Sequence, residues 1–198
     1  MTDSKSTYSH YFSVYKNSDV DCHRSEHDNH SDKHVKKSHK PKFISAYSTT
    51  TQGHITGVFQ VINFNNLGPI SKWTYNNSDP FDTFITPHTG TYSINYTYEV
   101  ITTAPDANLG TFIVTQNGVE IPNSESNIGI VGGQIILVSK TFLANLIKHD
   151  DIQFQFTGTD PIVPGGIITL LAGSGDSLIK PSASISIQYI GQTYSQHV

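Results

Sequence analysis

From Thr91 to Tyr98 the chain reads TYSINYTY, with Tyr92, Ile94, Tyr96 and Tyr98 alternating with Thr91, Ser93, Asn95 and Thr97. A period of two puts neighbouring side chains on opposite faces of an extended chain, so this run predicts a strand with one buried and one polar face. The pattern returns near the end of the sequence, where Ala183, Ile185, Ile187 and Tyr189 alternate with Ser182, Ser184, Ser186 and Gln188. A strand this regular needs a partner in a sheet. Short apolar runs recur from Phe43 onward and predict strands over 43–47, 57–64, 81–85, 91–101, 110–115, 134–146, 152–157 and 182–190. Between them lie Asn-Asn, Gly-Pro, Asn-Gly, Gly-Gly, His-Asp-Asp and Pro-Gly-Gly, which are turn and loop signals. Roughly eight to ten short strands with turns at this spacing predict an all-β sandwich or barrel.

Two segments are less regular. Residues 134–146, QIILVSKTFLANL, are apolar enough for a helix, but the β-branched start favours one bent strand or two. The connection over 159–181 is long and rich in Gly and Pro, yet it carries Ile167-Ile168-Thr169-Leu170-Leu171 at its centre. Long loops with an apolar middle pack against something. Segment 57–64 is apolar on both faces and is expected to be buried on both. There is no internal repeat.

The order of the pieces carries a resemblance. Phe84, Pro87, Gly90 and Tyr92 are followed by Asn117-Gly118, Phe142-Leu143, Asp151-Ile152 and a Ser-rich last strand ending Tyr189-Ile190. This resembles the globular head shared by complement C1q and tumour necrosis factor, and is similar to the shorter microbial version at the tip of the exosporium glycoprotein BclA. The resemblance spans 43–191. It implies a jelly-roll β-sandwich assembled as a homotrimer, in which the 159–181 connection packs against a neighbouring protomer. One departure stands out: the Gly-X-Y run that precedes the head in C1q and BclA is missing here.

Composition sets further bounds. At 198 residues the chain suits one well-buried domain plus an appendage. Charged residues make up only 14%, and the excess of Thr, Ser, Asn, Gly and Ile suits strands and turns more than helices. No apolar run reaches the length of a membrane-crossing helix. The net charge of −4 offers no basic field for nucleic acid. Residues 1–42 hold eight of the twelve Lys and Arg and six of the ten His, leaving the remainder acidic. That stretch has too little apolar surface to offset the entropy of ordering it, so the chain is expected to divide into a polar His- and Lys-rich arm over 1–42 and a jelly-roll domain over 43–198. Cys22 is the only cysteine, so no internal disulfide forms. The opening residues lack the apolar core of a secretory signal, and the expectation is assembly onto a spore or virion surface rather than secretion.

Candidate chemistry is sparse. His23, His27, His30 and His34 are spaced by four, three and four, which on a helix forms one stripe beside Cys22. Imidazole and thiolate suit zinc, nickel or copper, and three arms converging in a trimer would raise the ligand count. A solvated tail that happens to contain histidine is the plainer account. Gly175-Asp176-Ser177-Leu178 spells the motif of the GDSL esterases, but it lies late, with no Asp-x-x-His after it, so no positioned base serves the serine. His149-Asp150-Asp151 reads as a turn before a strand. Some C1q-like heads bind calcium, and Asp79, Asp82, Asp160 and Asp176 are loop carboxylates of that kind, though no EF-hand loop is present. Trp73, Phe59, Phe64, Phe112, Phe142, Phe154 and Phe156 read as core or subunit interface. Asn29, Asn76 and Asn95 begin N-x-S/T sequons, read as chance matches.

The reading is a non-enzymatic structural or attachment head, without cofactor unless zinc or calcium occupies those residues. Its partners are itself and other surface-layer proteins of a spore or large virus, and neither nucleic acid nor a membrane. The competing reading is a lectin-like or receptor-binding head that recognises a glycan or a host protein.

Overall fold

The computed structural model describes residues 41–53, 57–102, 108–159, 168–173 and 180–192. Fourteen strands and no helix occur among them. In chain order they are β1 (Phe43–Ser48), β2 (Gln52–Gly53), β3 (Gln60–Val61), β4 (Asn66–Ser71), β5 (Thr74–Tyr75), β6 (Phe84–Ile85) and β7 (Gly90–Thr102). Then follow β8 (Asn108–Gln116), β9 (Val119–Glu120), β10 (Ser126–Ile130), β11 (Ile135–Leu146), β12 (Asp151–Thr159), β13 (Ile168–Leu170) and β14 (Ala183–Gly191). They form two antiparallel seven-stranded sheets, as the jelly-roll expectation requires.

The front sheet is built around β7, the alternating strand. One edge of β7 pairs with β11 over Gly90–Ile101, and the other pairs first with β14 over Thr91–Tyr98 and then with β13 over Val100–Thr102. Beyond β14 come β1 and β4, while β2 extends from β13. In the back sheet, β12 pairs with β8 on one side and with β3 and β6 on the other, and β10 and β9 extend β8.

The core lies between the sheets. Tyr92, Ile94, Tyr96, Tyr98 and Val100 of β7 face Phe112 and Val114 of β8 and Ile152, Phe154 and Phe156 of β12, all fully or almost fully buried. The aromatic rings interlock mostly edge to face: Phe84 lies 5.5 Å from Phe64 and 6.1 Å from Phe154. Each such pair adds about 0.5–1.5 kcal/mol beyond the burial of its area.

The expectation of one strand or two over 134–146 resolves to one: β11, Ile135–Leu146, pairs residue for residue with β7 without a register shift. Two other expectations need correction. Within the 159–181 connection, expected to pack against a neighbouring protomer, Ile168 and Leu170 are buried against this chain's own β7. Segment 57–64 is buried on one face only. Ile62 and Phe64 enter the core, whereas Val58 and Phe59, in the turn before Gln60 joins β12, are 58% and 42% exposed.

Candidate functional site

The inward turn of the β7 tyrosines forces Thr91, Ser93, Asn95 and Thr97 onto the outer face of the front sheet. Register extends this face sideways. Asn95 lies between Thr141 of β11 and Ser186 of β14, Thr97 between Ser139 and Ser184, and Ser93 between Leu143 and Gln188. Ser45 of β1 lies opposite Ser186. The Asn95 amide donates to Thr141 Oγ1 at 2.7 Å, Thr91 Oγ1 donates to Asn145 Oδ1 at 2.8 Å, and the Thr97 and Ser139 hydroxyls share a bond of 3.1 Å. Short side chains bonded across the β7–β11 rungs leave a shallow surface on which the Thr91, Asn95, Thr97, Ser139 and Thr141 groups are already partnered. Covering it with another surface strands few donors, and that lowers the usual cost of burying polar groups.

The margin of this face is apolar. Among the described residues β11 pairs only with β7, at an edge of the sheet, and its Leu137 and Leu143 are 67% and 65% exposed. A long edge strand with exposed leucines invites a partner.

The other sequence-predicted residues are dispersed. His23, His27, His30 and His34, with Cys22, lie outside the described residues, as do Gly175-Asp176-Ser177-Leu178, Asp160 and Asn29. Among the described residues no group of three or more His, Cys, Asp or Glu side chains is placed to hold a metal. His149 and Asp150 form the turn before β12: His149 has a φ of 73°, and its N–H donates to the Thr86 carbonyl. Asp150 accepts from the Gln116 side chain, from Asn117 Nδ2 at 2.7 Å and from the Ile147 N–H at 3.1 Å. Burial, the largest single influence, pushes its carboxyl up, and the three donors together outweigh it to hold the carboxyl below its ordinary value. Its role is to lock two turns.

Asp82 is committed in the same way. Its Oδ1 accepts from Asn76 Nδ2 and from Thr83 Oγ1, while the Asp82 and Thr83 N–H groups donate to Asn76 Oδ1. The Asn76 amide is therefore fully used, and Asn95 lies mid-strand in a paired rung. Both sequons are read by the fold as structural positions. Of the aromatics named from sequence, Trp73, Phe64, Phe112, Phe142, Phe154 and Phe156 are core and Phe59 is exposed.

Sequence reasoning overlooked the polar rung system as a surface. Its signal was present in the odd positions of β7 and the even positions of β14, but the β11 partner follows only from register.

No protein-family model matches the sequence, and no curated protein matches it. Solved structures do match in fold. The Eiger tumour necrosis factor from S. frugiperda superposes with a TM-score of 0.53 at 10% identity, over 80% of this chain and 98% of that one. Murine APRIL at pH 5.0 gives 0.48 at 6% identity over 76% of this chain and 100% of that one. The globular domain of zebrafish complement 1qA gives 0.46 at 11% identity over 78% and 100% respectively. The fold is thus a jelly roll of the type shared by tumour necrosis factor and C1q heads.

Proposed function

We propose that the chain is a non-enzymatic head that assembles as a homotrimer through the outer face of its front sheet and presents its loops for recognition. The carrying observation is that face, where rungs of hydrogen-bonded Ser, Thr and Asn side chains are bordered by exposed Leu137 and Leu143. The Eiger tumour necrosis factor shares the fold, and a closed three-fold association would cover such an edge in every copy. The stronger apolar drive expected from segment 57–64 is not part of this reading, because the exposed residues there are only Val58 and Phe59.

The proposal extends to location. Residues 1–42 carry most of the positive charge and the remainder is acidic, so the arm would tether the trimer to an outer spore or virion layer while the head faces outward. The test is light scattering on the full-length chain and on Leu143→Glu. The native chain should give three times the protomer mass, and the variant, altered at an exposed position, should give the protomer mass while keeping the far-ultraviolet circular dichroism of the native fold. A native monomer at micromolar concentration sinks the assembly. Immunogold labelling of the native particle decides the location.

A further inference from the structure

Beside β4 of the front sheet and β5 of the back sheet lies a cleft of about 370 Å³, lined in part by Asn65, Leu67, Tyr75, Asn77, Asp79 and Phe81. This lies at the small end of the range of roughly 300–1,000 Å³ typical of ligand sites, enough for one ring-sized group. Its floor is apolar and aromatic. The half-buried Tyr75 ring and the buried Phe81 ring lie 4.9 Å apart and tilted by 46°, with Leu67 packed against the same core.

Its walls are polar and held in place. Asn76 fixes the loop through Asp82, Thr83 and Ser78, the last at 2.7 Å. Asn65 is held by the Thr49 N–H at 2.9 Å and by Asn66 Nδ2 at 2.7 Å. By contrast, the Asn77 amide, the Asp79 carboxylate and the Tyr75 hydroxyl bond to no other described residue. The loop is thus pre-organised while three of its polar groups stay unspent.

We propose that this cleft binds one neutral pyranose ring, which names the ligand class for the recognition role proposed above and rests on it. A pyranose presents an apolar C–H face and a rim of hydroxyls that both donate and accept. The aromatic floor suits the first, and the second matches a carboxylate acceptor beside an amide and a phenol. Alternatives fit less well. No Lys, Arg or His lines the cleft, so a phosphate or an acidic sugar would meet Asp79 without a counter-charge. A wholly apolar ligand would strand the wall groups. A cation would find a single solvated carboxylate, which is worth little.

Saturation-transfer NMR on the full-length chain tests this, with the methyl glycosides of glucose, galactose, mannose and fucose as probes and N-acetylneuraminic acid and inorganic phosphate as controls. At least one neutral glycoside should receive saturation on its ring C–H protons. Loss of one polar contact in Asn77→Ala or Asp79→Asn should weaken binding about five- to tenfold. Tyr75→Ala should abolish it, and Tyr75→Phe, which keeps the ring and the fold but loses the phenol, should weaken it only by the about five- to tenfold of one polar contact. The cleft is refuted if no neutral glycoside responds, if the exposed-site variants bind as the native chain does, or if the anionic controls bind equally. Light scattering on the same samples separates the two proposals. A trimer that ignores sugars overturns the cleft alone, whereas a monomer that binds them overturns the assembly alone.

Discussion

Tyr96 and Tyr98 are stacked 4.8 Å apart, equally buried and two positions apart on one strand, yet their hydroxyls meet different fates. Tyr96 donates to the Ser124 carbonyl at 2.8 Å and bonds Ser126 Oγ at 2.7 Å, whereas the Tyr98 hydroxyl reaches no protein partner. Burial pushes both phenols up, Tyr98 well above its ordinary value, and pushes Tyr92 up to about 12 against the opposing bond to the His88 carbonyl. Removing a satisfied hydroxyl leaves its partners stranded, while removing an unsatisfied one relieves a desolvation cost. Tyr96→Phe should therefore lower stability by about 1 kcal/mol in denaturant titration, and Tyr98→Phe should leave it equal or higher. Equal losses in both variants would show that Tyr98 has a partner. The alternation in the sequence revealed that these tyrosines point inward. It could not reveal which hydroxyl is satisfied, because Ser124 and Ser126 lie 28 and 30 residues downstream, just before and at the start of β10 in the other sheet.

At the scale of elements, legibility follows burial of a single face. β7 and β14 were evident because water on one side and core on the other write a period of two into the sequence. β4, NLGPIS, escaped notice because it is an outer strand in which Gly and Pro interrupt the pattern, and β13 because its three residues sit inside a Gly-rich connection. The Asn117-Gly118 turn was legible for a local reason: both residues take positive φ, 52° and 79°, as a tight hairpin demands. What the sequence concealed is how that hairpin is tied to the turn before β12. Asp150 accepts from Gln116 and Asn117, and the Asp151 N–H donates back to Asn117 Oδ1 at 2.9 Å. The folded carboxyl is held below its ordinary value near 3.8. Its contribution is therefore present above that value and is lost as pH falls through the lower folded value. Asp150→Asn should melt below the native chain at neutral pH, and the gap should close under acid conditions. A gap of constant size across the acid range would mean that the carboxylate charge is irrelevant to the clamp.

For the whole molecule, the informative place is where the head begins. The change in composition set the boundary at residue 42, since Lys42 belongs by charge to the basic arm. Its contacts belong to the head: the Lys42 carbonyl accepts from the Tyr189 N–H at 2.9 Å, and its ammonium lies 4.4 Å from the centre of the Tyr189 ring. Tyr189 in turn packs edge to face on Tyr92, which meets Trp73 in the same way, so Lys42 is the outermost member of a chain of contacts that enters the core. Charge composition is blind to this because the ring that holds Lys42 is almost the whole domain away in sequence. Two truncations distinguish the readings. Removing residues 1–40 should leave the melting temperature unchanged, because the buried apolar cluster of the described residues begins at Ile44. Removing 1–42 should lower stability by about 1–2 kcal/mol, the sum of one backbone hydrogen bond and one exposed cation–π contact. Under the proposal that the arm is an address, both truncations should also lose retention on the particle, and the arm fused to an unrelated soluble protein should gain it. A large loss of stability on removing 1–40 would instead make the arm part of the folding unit, with the aromatic run YSHYFSVY over 8–15 the first place to look for an added strand.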